Sequence, residues 1–270
     1  MLRIESRHNE RLREVARLIA ASRDRRKSGR CVLEGAHLVE VYVDRMGTPE
    51  TLVVLDDARE RDDVKSLLER VSENRTFIVT RARFAELATL PADVGVLAVV
   101  TTPKFAISPA AEFCLLVDDI QDPGNAGSII RTAAAAGIEQ VLLSRHSAFA
   151  WAPKVLRAAQ GAHFLTNVVE DVDLVAWATS FRAARGRVFA TVVDGAPSLY
   201  GADFRGRIAL AIGSEGRGVS PVLQHAADAR ITIPMASGSE SLNAGAATAV
   251  VLFEARRQRA AAPAARDRHR

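Results

Sequence analysis

The sequence predicts an α/β fold built on a largely parallel sheet, and two observations support this class. Short apolar runs alternate with helix-length segments along most of the chain. The apolar runs of the second half are continuous, as in strands covered on both faces, rather than alternating with polar residues. With 270 residues and 48% hydrophobic content, the chain is long enough for two modest domains.

The first half is typical of a compact α/β unit. Residues 8–21 carry apolar side chains at helical spacing, and a short strand at 31–33 runs through Glu34-Gly35 into a helix at 36–45. The same alternation continues with strands at 51–55, 76–79 and 94–100 and helices at 59–71 and 81–88.

The second half alternates in the same way. Strands are predicted at 113–118, 140–143, 164–169, 187–193, 207–212 and 230–233, and helices at 125–136, 152–160, 171–184, 219–226 and 242–259. Two prolines and a composition shift mark a linker between the halves. We therefore expect an N-terminal domain at 1–102, a linker at 103–111, a second domain at 112–259 and a basic, disordered tail at 260–270.

Segment 119–137 follows a buried strand and passes through a Pro/Gly/Asn loop into an Ala-rich helix. This arrangement predicts a site at the carboxyl end of the strand. Asn125 or Ser128 can cap the helix, and Gly137 suits its end. Asn125 and Arg131 are then expected to face the same crevice.

Arg131 carries a charge on a helix that otherwise looks buried, where a guanidinium is costly unless it meets an anion. Two interpretations stay open at this point. The anion is either a neighbouring carboxylate, from Asp118, Asp119 or Asp122, or a group of a bound substrate such as a phosphate.

Two further loops follow strand ends, and both are rich in glycine and serine. The strand at 208–212 runs into Gly213-Ser214-Glu215-Gly216-Arg217-Gly218, and the strand at 231–233 runs into 234–243. Glycine lets a ligand approach the main chain closely. A Walker loop, HExxH and GxSxG are absent from the sequence, and no GxGxxG follows the first strand of either half. Three such loops on one sheet favour a cofactor crevice of another kind.

In this order, the three segments resemble the motifs of the SpoU (TrmH-like) branch of the SPOUT methyltransferases. These enzymes transfer a methyl group from S-adenosylmethionine to a ribose 2′-hydroxyl of RNA. The resemblance covers roughly 112–257 and rests on Asn125 with Arg131, Gly213-Ser214-Glu215-Gly216, Ile233-Pro234-Met235 and Ser241-Leu242-Asn243. The first 100 residues resemble, most clearly at Glu34-Gly35, the small substrate-binding domain found in many members.

The chain departs from the family pattern at Ala244-Gly245-Ala246, where members commonly have Val-Ser-Val or similar. This difference bears on cofactor affinity, although small residues still allow tight helix packing beside the cofactor.

The resemblance implies a parallel-sheet domain with a deep trefoil knot, formed by the loops at 213–218 and 234–243. It also implies a homodimer in which each active site is completed at the subunit interface. The cofactor contacts it implies are Gly213, Gly218, Ile233, Met235 and Leu242, and the catalytic group is Arg131, Asn125, Glu215, Ser241 and Asn243.

Methyl transfer from a sulfonium is an in-line displacement, so the protein must align the ribose oxygen and help to remove its proton. No metal is required. Arg131 is the best candidate to activate the hydroxyl. Because arginine keeps its protons in proteins, we favour an orienting and charge-stabilising role over proton abstraction, which stays open. The other polar residues also suit helix capping and loop hydrogen bonds, and for Ser241 the two interpretations stay close.

The net charge is only +4, but basic residues concentrate in the first 30 residues and near the C-terminus. Local positive charge favours a polyanion partner, and the alternative is a solvated helix face. We favour RNA for the 23–30 cluster and solvation for the tail. The predicted RNA contacts are Arg25, Arg26, Lys27 and Arg30, with supporting roles for Lys154 and Arg157 in a segment that resembles the family's basic helix.

No apolar run approaches the roughly 20 residues of a membrane span, and the N-terminus lacks the apolar core of a signal peptide. We therefore expect a cytoplasmic protein without membrane contact. Cys31 and Cys114 lie in separate apolar runs and are interpreted as reduced core residues, so a metal site is not expected.

The predicted function is therefore S-adenosylmethionine-dependent methylation of a ribose 2′-hydroxyl in RNA. Ribosomal RNA, of the 23S type, is favoured because the N-terminal domain resembles that of rRNA-modifying members. Two alternatives remain, a tRNA 2′-O-methyltransferase and a catalytically inactive RNA-binding or chaperone protein of the same fold. Within the enzyme class, housekeeping modification and antibiotic resistance are both open.

Overall fold

The computed structural model describes residues 1–6, 8–89, 94–237 and 241–261. The chain forms two compact units, which we call the N-terminal unit and the C-terminal unit. The first comprises Met1–Lys104 with Phe149–Leu165, and the second comprises Phe105–Ala148 with Thr166–Arg270. Contacts thus group 149–165 with the N-terminal unit, whereas the sequence predicts this stretch as part of 112–259.

The N-terminal unit is built on a mixed five-stranded sheet in the order β1-β4-β3-β5-β2. Strands β1 and β3 run parallel to β4, whereas β5 pairs antiparallel with β3 and β2. Its strands are β1 (Leu2–Ile4), β2 (Arg30–Glu34), β3 (Thr51–Leu55), β4 (Thr76–Val79) and β5 (Val96–Thr101). Its helices are α1 (Glu10–Ala20), α2 (Ser22–Ser28), α3 (Ala36–Met46), α4 (Asp62–Arg70), α5 (Arg81–Leu87) and α7 (Pro153–Ala159).

Helix α7 explains why 149–165 groups with the N-terminal unit, since it contacts β2. Just beyond it, Phe164 meets Tyr42 of α3 edge to face, with the ring centroids 5.3 Å apart. A side chain at Gly161 would crowd Val41 of α3 at 3.0 Å. The segment therefore packs as part of the core of this unit.

The C-terminal unit contains a six-stranded sheet in the order β11-β9-β10-β6-β7-β8, with all strands parallel. This confirms the predicted α/β class; the knot stays a prediction. The strands are β6 (Phe113–Asp118), β7 (Gln140–Ser144), β8 (Asn167–Val172), β9 (Arg187–Val192), β10 (Ile208–Gly213) and β11 (Ala229–Thr232). The helices are α6 (Pro123–Ala136), α8 (Leu174–Ala183), α9 (Pro221–Ala226) and α10 (Ala244–Ala261).

Successive residues of the central strands are buried on both faces of this sheet. Leu116 and Ala211 belong to a core cluster that includes residues of α8 and α9. The alternate residues Leu115 and Leu210 are fully buried as well, and α10 contacts both β10 and α6. Continuous apolar strands therefore correspond to a doubly covered sheet, as predicted.

The register of the sheet sets the position of the loops. Gly213 at the end of β10 pairs with Asp118 at the end of β6, and Thr232 of β11 pairs with Val192 of β9. Because parallel strands end at the same edge, the loops that follow them open together at the carboxyl edge.

Helix α6 begins earlier than predicted. Asp122 is its N-cap, since the Asp122 carboxylate accepts a hydrogen bond from the Asn125 amide at 2.8 Å, and Pro123 occupies the first turn. The predicted cap at Asn125 or Ser128 is wrong, because both residues lie inside the helix. The helix ends at Gly137 in the left-handed conformation, as predicted.

The predicted linker at 103–111 is largely part of the C-terminal unit. Arg207 donates hydrogen bonds to the carbonyls of Pro109 at 2.6 Å and Ala111 at 3.2 Å. Gln140 exchanges two hydrogen bonds with the main chain of Ser108.

Both cysteines are buried free thiols, and burial raises the pKa of Cys31 to about 12 and that of Cys114 to about 11. No group of three or more metal-ligating side chains occurs within the described ranges. Of the helices in this part of the chain, none is long and apolar enough to cross a bilayer. In the predicted tail, Ala260 and Ala261 belong to α10, and 262–270 lie outside the described residues.

Candidate functional site

The loop after β10 folds back tightly on the end of its own strand. The Gly218 amide donates to the Ser214 carbonyl at 2.8 Å, and Gly218 itself is left-handed, with φ +64°. A Cβ on Gly213 would lie 1.9 Å from the Gly218 carbonyl carbon, an impossible distance. Glycine is therefore required at 213, which explains the sequence pattern of this loop.

Asp118 ties this loop to the neighbouring strand. Its buried carboxylate accepts a hydrogen bond from the Ser220 amide at 2.8 Å, just after the loop. The sequence pointed to Asp118 only as a partner for Arg131. A carboxylate at the last position of a buried strand was the available signal for a structural role, because such a group needs a donor.

An open cleft of about 600 Å³, solvent at its mouth included, lies between the loops at the carboxyl edge. Val193 and Leu242 give it apolar walls, and Glu215 brings a carboxylate to it. All five residues predicted as cofactor contacts line the cleft, namely Gly213, Gly218, Ile233, Met235 and Leu242.

The end of β9 also lines the cleft, which the sequence did not predict. Thr191, Val192 and Val193 contribute to the wall, and Val193 is 51% exposed. The sequence holds no local signal for these residues, because the exposure of Val193 is seen only in the structure.

Three polar side chains, one from each of the three segments, form one hydrogen-bonded series, which we call the amide chain: Asn243, Asn125 and Glu215. Asn243 Nδ2 donates to Asn125 Oδ1 at 2.9 Å, and Asn125 Nδ2 donates to Glu215 Oε1. Asn243 Oδ1 also accepts from the Gly245 amide at 2.9 Å, at the start of α10. The structure thus brings together residues that lie 90 and 118 positions apart in the sequence.

The residues Ala244-Gly245-Ala246, where the sequence departs from the family pattern, lie beside the amide chain. A side chain at Gly245 would approach Ser128 Oγ of α6 and Asn243 Oδ1, both at 3.1 Å. Gly245 therefore permits the close approach of α10 to α6.

Arg131 lies apart from the amide chain. It follows Asn125 by six residues, which places it about 120° around the helix. Arg131 is exposed and forms no hydrogen bond or ion pair with any part of the chain that the structure describes. Within the described part of its own chain, Arg131 therefore does not face the same crevice as Asn125. It also forms no ion pair there with Asp118, Asp119 or Asp122.

Ser241 is exposed at the cleft. Its side chain has no hydrogen-bond partner among residues with a described position. The structure therefore brings Ser241 to the cleft but not into the amide chain.

Arg25, predicted to bind RNA, is buried in the N-terminal unit, with 5% of its surface exposed. Its Nη1 donates to the Leu18 carbonyl at 2.5 Å and the Ile19 carbonyl at 2.9 Å, at the end of α1. Burial lowers its pKa. The predicted RNA contact is wrong for Arg25, because its guanidinium donates hydrogen bonds to main-chain carbonyls that are left unpaired at the end of α1.

The other basic residues of this cluster differ in exposure. Arg30 pairs with Glu14 at 2.5 Å and Glu50 at 3.6 Å, so its charge is already compensated. Arg26 and Lys27 are exposed on α2. The Arg26 guanidinium lies 4.3 Å from the centre of the Phe149 ring. These two residues keep an outward positive charge.

The two basic residues of α7 also differ. Lys154 is exposed, whereas Arg157 is half-buried and its Nη1 donates to Thr89 Oγ1 at 3.5 Å. Thr89 in turn donates its hydroxyl to Glu34 at 2.7 Å. Arg157 thus lies near the Glu34-Gly35 motif.

Two family models match the chain in succession. Residues 112–253 match the SpoU rRNA Methylase family, and residues 9–98 match the MRM3-like substrate binding domain. The first match covers the amide chain and every residue of the cleft.

Curated relatives align over nearly the whole chain. The 23S rRNA (guanosine(2553)-2'-O)-methyltransferase RlmP of Bacillus subtilis is 29% identical, over 95% of this chain and 100% of its own. An uncharacterized tRNA/rRNA methyltransferase of Synechocystis is 31% identical, over 91% of this chain and 90% of its own.

The fold of this chain is similar to that of solved methyltransferase structures. The SpoU methyltransferase AviRb from Streptomyces viridochromogenes, crystallised with AdoMet, superimposes with a TM-score of 0.80 and 26% identity. The superposition covers 94% of this chain and 100% of that one.

Proposed function

This chain belongs to the SpoU rRNA methylase family, and on this premise we propose that it methylates a ribose 2′-hydroxyl of ribosomal RNA with S-adenosylmethionine. The observation that carries the proposal is the amide chain of Asn243, Asn125 and Glu215 beside the cleft at 213–218. A hydrophobic core does not require three distant segments to be joined through polar side chains. A site that must hold two substrates in register does.

The cleft suits S-adenosylmethionine in its chemistry. The missing Cβ at Gly213 leaves main chain on one side, and Ile233 and Leu242 supply apolar surface for an adenine ring. The Glu215 carboxylate gives the cleft a negative group, which complements a cationic sulfonium. When bound, the cofactor supplies the methyl group.

The protein's own residues position the reaction. The amide chain fixes Glu215 and Asn125 relative to each other, so that their outward polar atoms are pre-oriented toward a ribose. Arg131 orients the RNA and stabilises the charge that develops on the 2′-oxygen. This role suits an exposed guanidinium, which keeps its protons and offers five donors to phosphate or oxygen.

We also propose a homodimer in which Arg131 serves the cleft of the partner. In its own chain Arg131 is exposed and turned about 120° away from Asn125, so a second copy gives it a site to complete. Mixing two variants tests this arrangement. Arg131→Ala and Gly213→Ala, each inactive alone, regain activity together if one subunit supplies the arginine and the other the cleft.

Failure of the mixed variants to regain activity, in a sample shown to contain mixed dimers, contradicts the shared site.

The proposed location of the protein is the cytoplasm, in line with a ribosomal RNA substrate.

Ribosomal RNA is proposed over transfer RNA because the Bacillus relative is a 23S rRNA methyltransferase. The Synechocystis relative carries both names and keeps tRNA as the second candidate. Assays on both RNAs separate them.

The experiment uses the full chain, S-adenosylmethionine with a tritiated methyl group, and an unmodified transcript of large-subunit ribosomal RNA. We expect methyl transfer that protects one phosphodiester bond from alkaline cleavage, since that cleavage needs a free 2′-hydroxyl. Calorimetry should also detect cofactor binding without RNA. RNA binding with no detectable cofactor binding would instead identify an inactive RNA-binding protein and overturn the proposal.

A further inference from the structure

The loop that follows β7, Arg145–Ala148, is fastened to the segment that leads into α6. The Ala148 amide donates to the Ile120 carbonyl at 2.7 Å, and Ser147 Oγ donates to the Val117 carbonyl at 3.2 Å. The loop is therefore held against the segment that leads into α6, the helix that carries Asn125.

Two serine hydroxyls complete this attachment. Ser144 Oγ accepts a hydrogen bond from the Asp119 amide at 2.9 Å and bonds Ser147 Oγ at 3.1 Å. Asp119 is left-handed, with φ +56°, an uncommon conformation for a residue other than glycine. The hydroxyl of Ser144 thus holds the sharp turn between β6 and α6.

Arg145 and His146 lie at the exposed tip of this fastened loop. Within the described ranges, neither side chain has a hydrogen bond or an ion pair. In contrast, Arg30 and Arg182 each pair with a carboxylate. A cation on a loop that hydrogen bonds attach to its neighbour, and that has no carboxylate partner among the described residues, is suited to bind an external anion.

The distance of this loop from the cleft indicates which kind of anion it could bind. In the sheet, β6 separates β7 from β10, so the two strand ends lie about 10 Å apart along the carboxyl edge. A ribose that reacts at the cleft beside β10 is linked on both sides to phosphates of the RNA backbone. The chemistry and the spacing both fit a phosphodiester a few nucleotides from the target.

We propose that Arg145 binds a backbone phosphate of the RNA close to the methylated nucleotide. The inference rests on the proposed function and deepens it, since it names how this edge of the sheet grips the substrate. Phosphate contacts set register without reading sequence, so Arg145 fixes the RNA over the cleft and leaves base choice to other residues.

The test compares Arg145→Ala and Arg145→Lys with the matched control Arg185→Ala. Arg185 is exposed too and has no side-chain partner in the described part of the chain, but it lies just before β9, at the opposite edge of the sheet. Binding of the unmodified large-subunit rRNA transcript is measured by filter retention over a range of salt, and methyl transfer is measured in parallel.

For Arg145→Ala we expect the Kd and KM for RNA to rise about tenfold, the value of one charge-assisted hydrogen bond. The salt slope should fall by about 0.7, the share of one phosphate. The kcat at saturating RNA and the cofactor Kd should stay unchanged. Lysine should restore the salt slope, and Arg185→Ala should match the wild type.

An unchanged RNA Kd and salt slope in Arg145→Ala would overturn the proposal, as would an equal loss in Arg185→Ala. Because RNA binding is read without catalysis, this outcome is distinct from failure of the proposed methyl transfer. If the wild type transfers no methyl group, the binding measurements still decide whether Arg145 contributes a phosphate contact to RNA binding.

Discussion

The two polar clusters of this protein differ in how sequence relates to space. In the C-terminal unit, Asn125, Glu215 and Asn243 are far apart in the chain and form one hydrogen-bonded series. In the N-terminal unit, Arg25 and Arg30 are close neighbours in sequence but have unrelated environments, one buried and one ion-paired. Proximity in sequence therefore predicted a shared environment less well than a position after a strand did.

The difference follows from the geometry of the elements. The ends of parallel strands converge on one edge regardless of their separation in the chain. A helix instead distributes successive residues around its axis, so a run of arginines must include inward positions. Arg25 is such an inward residue of α2, and its neighbours Arg26 and Lys27 are exposed.

The largest expected effect comes from Gly213, which has no tolerance for a side chain. In Gly213→Ala, the Cβ would meet Gly218 main chain at 1.9 Å, so the loop must shift. We expect roughly a 100-fold loss of cofactor affinity, in line with the cost of overpacking. Gly216→Ala is the matched control, because a Cβ at 216 has open space. Calorimetry with S-adenosylmethionine decides, and equal affinities of the two variants would contradict the requirement for glycine.

A smaller effect should follow when the amide chain is broken at its centre. Asn125→Asp places a carboxylate against Glu215, and we expect about a tenfold weaker cofactor affinity from this like-charge contact. Adding Glu215→Gln restores a donor to the pair and should recover most of the loss.

This double variant distinguishes a hydrogen-bonded series from three independent residues. Additive losses in Asn125→Asp and Glu215→Gln, measured as cofactor Kd, would show that the residues are not coupled.

Effects on two different properties, stability and RNA binding, separate the two kinds of arginine-cluster residue. Arg25→Ala removes the hydrogen bonds to the carbonyls of Leu18 and Ile19, and should destabilise the protein by about 1–3 kcal/mol. Lys27→Ala should change stability by no more than about 0.5 kcal/mol, and lower the salt slope of RNA binding instead. Urea unfolding and salt-dependent RNA binding measure both, and a stable Arg25→Ala with weakened RNA binding would reverse the assignment.

Much of the site could be predicted because its signals are local. The glycines at 213 and 218 lie at the end of an apolar strand or in the loop after it, and the polar residues at 125, 215 and 243 lie in segments that follow apolar strands. The cap at Asp122 was also within reach of sequence, since Pro123 favours the first turn of a helix. Polar residues at strand ends were therefore the most informative part of the chain.

Other features depend on tertiary contacts that leave no local signal. Helix α2, with the sequence Ser-Arg-Asp-Arg-Arg-Lys-Ser, lacks the apolar period that predicts a helix, so the burial of Arg25 was not visible. The grouping of 149–165 with the N-terminal unit depends on pairs such as Tyr42 and Phe164. The exposure of Arg131 likewise depends on how α6 turns against the sheet.

The central claim is that the carboxyl edge of the C-terminal sheet methylates ribosomal RNA with the help of Arg131. Its most direct test maps ribose methylation of large-subunit rRNA in cells that carry the wild-type gene, a deletion, or Arg131→Ala. We predict one 2′-O-methylated nucleotide that is lost in both altered strains, while the purified Arg131→Ala protein still binds S-adenosylmethionine. Full methylation of that nucleotide in the Arg131→Ala strain would contradict the claim.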